Sequence, residues 1–206
     1  MTLVLLPGLE GTGVLFADLV SQLPSTVTVI VGKYPTQQFL SYAELLSYVR
    51  TIVPAGSPFV LVAESFSTPL AAMFAATRPS NLVGLILCAG FLTNPAKNWT
   101  LLGRILARRS VLRIPPPHWF LERFVVGNNP PATLEANFRE ALREVDVEVL
   151  AARLREILNC DAREELRGTK IPLMYIQAGR ATFGSAARAA KMCGCDCEVY
   201  SRVNRS

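Results

Sequence analysis

Residues 59–76 read "FVLVAESFSTPLAAMFAA". Five apolar residues, 59–63, stop at Glu64-Ser65-Phe66-Ser67, and an alanine-rich amphipathic stretch follows at once. A serine at a strand-to-helix joint with almost no loop suits one of two jobs. It can cap the helix, a role serine favours and one that Ser67 or Thr68 can also take. Alternatively it is a nucleophile held on a strained turn, since a hydroxyl attacks poorly without placement and a base. The turn would supply the placement and set the Phe66 amide at the positive end of the helix. It requires small residues two before and two after the serine, where strand and helix pass closely. Ala63 and Ser67 meet that requirement, although glycine is the usual choice.

A second strand end, "LLPGLEGTG", carries Gly8, Gly11 and Gly13, which let the backbone fold close to a ligand. The Leu9 amide can aim into the same crevice as that of Phe66, and two such amides would form an oxyanion hole. Phosphate cradling is the weaker reading, because neither a GxGxxG fingerprint nor a Walker lysine is present.

These two segments need a frame that brings strand ends together. Apolar runs at 3–6, 27–31, 59–63, 83–89, 171–176 and 197–203 are nearly continuous, as strands buried on both faces are. Helical periodicity occupies 14–23, 42–52, 67–78 and 185–192. Strands alternating with helices imply right-handed crossovers and a doubly wound, mostly parallel α/β sheet. Ligands bind at the carboxyl ends of such strands, where Ser65 falls. The alternation breaks between Thr93 and Thr169, where helical stretches at 98–109, 118–126, 131–143 and 148–159 surround the run Pro115-Pro116-Pro117. The expected organisation is a core of 1–92 and 170–206 with a helical cap, 93–169, over the crevice.

"LVLLPGLEGTGVLFADLVSQLP", "FVLVAESFSTPLAAMFAATRP" and "LVGLILCAGF" together resemble a bacterial α/β-hydrolase-fold protein, over nearly the whole chain. Pro7-Gly8 corresponds to the family's oxyanion-loop segment, often His-Gly. Residues 63–67 correspond to its nucleophile elbow, usually Gly-x-Ser-x-Gly. The resemblance implies a serine hydrolase, carboxylesterase-like on a small ester, with Ser65 as nucleophile and the Phe66 and Leu9 amides on the oxyanion. It implies no metal or organic cofactor, and Gly8, Glu10 and His118 are the candidates for touching substrate.

The family's triad runs serine, then acid, then histidine. By register the acid should stand in Gln177-Ala178-Gly179-Arg180-Ala181, where Ala181 takes its place, and no acidic residue lies between Leu166 and Asp196. The histidine should follow "CEVYSRVNRS"; either Asn204 replaces it or the chain ends a few residues before it, the preferred expectation. His118 is the one histidine, in "PPPHWF" at the start of a cap helix, where an exposed helix-start role is the plainer reading. Glu64 should turn away from the crevice into a structural pairing, and Glu10 should be a solvated loop carboxylate. Asp161, Glu164 and Glu165 read as helix-surface charges, and Asp146 as a triad acid only in an unusual cap. The competing reading is a catalytically silent or truncated relative that binds a small apolar ligand.

Composition agrees with one ordinary globular domain: 206 residues, 50% hydrophobic and 18% charged. The net charge of +5 owes much to Arg104, Arg108, Arg109, Arg113 and Arg123, a solvated set with no nucleic-acid motif beside it. The run 82–92 is too short to cross a bilayer, and the N-terminus lacks a basic signal region, so a cytoplasmic compartment is expected. Cys88 and Cys160 read as small buried hydrophobes. Cys193, Cys195 and Cys197 lack a fourth ligand and zinc spacing, so they read as reduced thiols and not a metal site. Without the family's last helix the sheet should expose apolar surface along one edge, which leaves the domain open either to instability and poor solubility or to pairing as a homodimer.

Overall fold

The computed structural model describes residues 1–95, 132–177 and 197–201. Six strands form one sheet: β1 (Thr2–Leu6), β2 (Thr28–Val31), β3 (Phe59–Glu64), β4 (Leu82–Cys88), β5 (Leu173–Gln177) and β6 (Cys197–Ser201). Their spatial order is β2-β1-β3-β4-β5-β6, with every neighbouring pair parallel. All six expected strands are present, with ends shifted by a residue or two. The chain passes from β1 outward to β2, then back across β1 to β3, so the winding reverses between β1 and β3. Such a switch point opens a crevice at the carboxyl ends of the two strands. The register pairs Leu6 with Ala63, so Pro7-Gly8-Leu9 and Glu64-Ser65-Phe66 leave the sheet side by side.

Alternation along the strands divides the core. Val4, Leu6, Phe59, Leu61, Ala63, Leu85 and Leu87 enter a large cluster on one face. Leu5 and Val62 turn to the other face, against Phe16. The helices of the first half are α1 (Ala17–Gln22), α2 (Tyr42–Ile52) and α3 (Ser67–Ala76), and a 3-10 turn (Val14–Phe16) precedes α1. The sequence S-Y-A-E starts α2 with a capping box: Ser41 Oγ accepts from the Glu44 amide, and the Glu44 carboxylate accepts from the Ser41 amide at 2.7 Å.

One expectation needs correcting. The stretch after Ser65 reads as amphipathic, yet eight of the ten residues of α3 are buried. The helix is sandwiched between the sheet, α2 and a later helix, so its alanines face neighbours where solvent was expected. Small side chains are what allow that approach.

Within the insertion, α4 (Ala132–Arg143), α5 (Val147–Asn159) and α6 (Arg163–Arg167) are helical. Asp146 is no acid of the crevice: it caps α5, its carboxylate accepting from the Glu148 amide at 2.8 Å. Ile157, Cys160, Ala162 and Leu166 join the large cluster beside Phe66 and Leu70, so α5 and α6 pack into the main core. Asp161 and Glu164 make surface ion pairs with Arg163 and Arg167, as their expected role requires. The helices expected at 98–109, 118–126 and 185–192, the arginine set and the cysteines 193 and 195 lie outside the described residues. Among the described residues no helix is long and apolar enough to cross a membrane.

The sandwiched position of α3 has a measurable consequence. Ala72 is fully buried, so Ala72→Leu should overpack the site and cost about 1–3 kcal/mol. Urea unfolding of the variant checks this; a helix with one solvent face would accept leucine there without loss.

Candidate active site

At the end of β3 the backbone does something unusual for a residue with a side chain: Ser65 has φ +45°. Left-handed backbone at a non-glycine residue costs on the order of 1–3 kcal/mol and persists only where neighbours enforce it. Here they do. The Ser65 amide donates to the Cys88 carbonyl at the end of β4, at 3.0 Å. The Ser65 carbonyl accepts from the Thr68 amide at 3.1 Å. The Thr68 hydroxyl lies 2.7 Å from that carbonyl and 2.8 Å from the Phe91 carbonyl, and accepts from the Phe91 amide at 3.0 Å. The loop after β4 presses on this threonine. A Cβ on Gly90 would stand 2.2 Å from Thr68 Cγ2, so only glycine fits there.

Because a trans peptide sets its N–H opposite its C=O, pulling the Ser65 carbonyl toward Thr68 turns the Phe66 amide the other way. Phe66 is the N-cap of α3, with no side-chain cap bond. The cap reading of Ser65, Ser67 or Thr68 therefore fails: Phe66 holds the cap position, and α3 starts at Ser67, two residues after Ser65, without a side-chain cap bond. Phe66 itself is held from beneath, its ring stacked on Tyr42 at 5.0 Å and its carbonyl accepting from the Tyr42 hydroxyl at 2.8 Å.

Ser67, in place of the usual glycine, adds a tie. Its hydroxyl donates to the Pro7 carbonyl and accepts from the Tyr34 hydroxyl at 2.6 Å. Elbow and loop are thereby joined across the switch point. On the loop, the Gly8 carbonyl accepts from the Gly11 amide at 3.2 Å, which turns the Leu9 amide away from Gly11.

Two carboxylates sit behind this turn. Glu10 is 1% exposed, so the expected solvated loop carboxylate is instead buried, and its Oε1 has no hydrogen-bond partner. Glu64 is partly buried and faces the same spot. A Cβ on Gly8 would stand 3.0 Å from Glu10 Oε2 and 3.6 Å from the Glu64 carboxylate. Glu64 therefore meets another acid, not the opposite charge that a structural pairing would suggest. Burial, and then the Glu10 charge, push its carboxyl up to about 7. Burial also raises Glu10, against its own amide, that of Gly13, Arg153 and the Gly11 amide. Cys88, beside Glu64, is pushed up to about 11 by burial and by that acid, which makes its thiol inert.

The structure thus brings Ser65, Phe66, Gly8, Leu9 and Glu10 to one place. His118 and Ala181 lie outside the described residues. Among the described residues no group of three or more potential ligands could hold a metal ion. A groove of about 540 Å³ lies elsewhere, lined by Tyr42, Leu46, Met73, Glu156 and Cys160, without Ser65 or Leu9. Sequence reasoning missed Tyr34, Thr68's bridging role and Arg153. Arg153 carried a signal, because it falls on the i, i+4 stripe of Val149 and Ile157 and is 1% exposed.

The carboxyl pair makes stability depend on pH. A carboxyl group with a higher pKa in the folded chain binds more protons there, so stability falls as pH rises between the two values. For Glu64 that window runs from 4.5 to about 7, and Glu10 acts in the same direction. Glu44, which is lowered, acts with the opposite sign below its ordinary value and outside this window. Glu64→Gln should therefore lose less stability than the wild type between pH 5 and pH 8, by ~1–3 kcal/mol. Urea unfolding at both pH values checks this, and equal losses would contradict it.

No family model matches the chain, and no curated protein does. Solved structures do. A hydrolase from Oleispira antarctica superposes with a TM-score of 0.78 at 13% identity, over 97% of this chain and 81% of that one. The enol-lactonase from Burkholderia xenovorans LB400 gives 0.76 at 15% identity, over 97% and 82%. Carboxylesterase work on the thaumarchaeon Nitrososphaera gargenis provides a third, at 0.72 and 14% identity, over 98% and 82%. At such identities the likeness speaks for the fold alone, and that fold is the α/β-hydrolase fold.

Proposed function

We propose that this chain is a serine hydrolase, carboxylesterase-like toward a small ester, with Ser65 as nucleophile. The observation that carries the reading is the left-handed backbone of Ser65 at the end of β3, enforced by Cys88 and Thr68. A helix entry has no use for that strain, whereas a nucleophile does, since it lifts the side chain out of the path of strand and helix. In the proposed reaction Ser65 Oγ bonds to the ester carbonyl carbon while its proton passes to a base. The carbonyl oxygen becomes an oxyanion, received by the amides of Phe66 and Leu9. Collapse breaks the bond to the alcohol, which leaves with a proton. Water then attacks the acyl-serine, the bond to Ser65 Oγ breaks, the carboxylic acid leaves, and Ser65 regains its proton. Gly8 leaves the backbone open to a close-lying acyl group. Glu10, being buried, serves by shaping the loop. Neither step calls for a metal or cofactor, and the partner is a small ester or apolar molecule.

The second reading, a silent relative that binds a small apolar ligand, draws on Ala181 at the acid's place and on a single histidine, His118. Without a base, oxyanion stabilisation and binding alone leave about 10³–10⁴-fold catalysis over water. The two readings part on one experiment. A fluorophosphonate should label the wild type at Ser65, as located by peptide mass spectrometry, and a short-chain p-nitrophenyl ester should turn over. Ser65→Ala should abolish both. No labelling, and turnover equal to that of Ser65→Ala, would leave ligand binding as the function.

A further inference from the structure

The geometry points to Arg153 as a positioning residue of the oxyanion loop, which it straps to α5 through its guanidinium. The inference rests on the proposed role of the Leu9 amide. Arg153 stands 144 residues along the chain from Leu9, yet its Nη1 donates to the Leu9 carbonyl at 2.7 Å and to the Glu10 carbonyl at 2.9 Å. Nη2 donates to the Pro35 carbonyl at 2.9 Å. The guanidinium also lies 5.8 Å from the Tyr34 ring centroid and 6.0 Å from that of Phe66. One rigid plane therefore touches the loop, the segment after β2 and the elbow residue.

Its effect on Leu9 follows from peptide geometry. The peptide before Leu9 is held by the Gly8 carbonyl accepting from Gly11, and the peptide after it by the Leu9 carbonyl accepting from Arg153. With both flanking planes pinned, the Leu9 amide has one direction available. The site is built to admit the guanidinium: Gly11 has φ +72°, and a Cβ there would stand 2.6 Å from Nη1. A salt bridge does not explain the burial, because Arg153 donates to three carbonyls and the Glu10 carboxylate turns instead toward Gly8. A fixed fork of donors suits carbonyls that diverge, which the single ammonium of lysine cannot span.

The test compares wild type, Arg153→Met and Arg153→Lys in the full chain. Amide hydrogen exchange reads the strap without reference to catalysis. Residues 9–11 should exchange at least about tenfold faster in Arg153→Met, with α3 unchanged, and Arg153→Lys should be intermediate. The fluorophosphonate labelling rate at Ser65 should fall about 10²-fold, as for a lost oxyanion donor, and millimolar guanidinium should restore part of it. A merely structural arginine would show neither the local exchange nor the rescue. If Arg153→Met does not fold, Arg153→Lys carries the same two readouts. Unchanged loop exchange in a folded variant overturns the strap. A wild type that is never labelled overturns the hydrolase reading instead, and the exchange result still decides the role of Arg153.

Discussion

The pinch at Ser65 is the constraint on which the rest of this structure depends. A serine at φ +45° relaxes toward ordinary helix entry unless something prevents it. Four neighbours do so: the Cys88 carbonyl, the Thr68 side chain, the bare Gly90 and the buried Ala63. Cys88 and Gly90 come from another strand and its loop, while Thr68 and Ala63 stand three and two residues from Ser65. Each is delivered by the pairing of β3 with β4 and by the seating of α3 directly on the sheet. The apolar frame is therefore what holds the strain, and burial of side chains such as Phe59, Leu61 and Leu70, at about 1.5–3 kcal/mol each, is large enough to do so.

Around that pinch a second layer is polar and dry. Ser67 joins the elbow to Pro7 and Tyr34, Arg153 joins the loop to α5, and Tyr42 supports Phe66. In a low-dielectric surrounding such bonds are stiff, and an unpaired group there is expensive. Glu10 and Glu64 are the exception, since two acids share one buried corner. Burial first, and then the charge of Glu10, favour the protonated form of Glu64, which is why it is held up near 7. Groups that stay fixed before substrate arrives need no reorganisation during reaction, and the ties to Pro7, Leu9 and Phe66 would give the two amides that property in the proposed reaction.

The frame was far more legible in sequence than the ties. Parallel strands buried on both faces announce themselves as unbroken apolar runs, so all six strands could be read, and helical periodicity marked α2 at 42–52. The tight turn at Ser65 was legible for the same reason, as a strand end meeting a helix at Glu64-Ser65. The amphipathic reading of α3 failed because alanine is equally at home on a surface and in a tight helix–sheet contact; composition alone does not separate them. Glu10 was read as solvated because loops usually are, and only the fold shows that its loop is covered. Arg153 was hidden for a different reason: its partners lie 144, 143 and 118 residues away, and carbonyls leave no side-chain signature to pair with it. Ser67 was read as a small residue or a helix cap, so its hydroxyl's role as a tie across to Pro7 went unread.

The most direct measurement of the central claim is a crystal structure of the chain after treatment with a fluorophosphonate. The account predicts a phosphorus atom bonded to Ser65 Oγ, with one phosphonyl oxygen about 2.7–3.1 Å from both the Phe66 and the Leu9 amide nitrogens. An adduct on another residue, or a Ser65 adduct whose oxygens point away from those two amides, would contradict it.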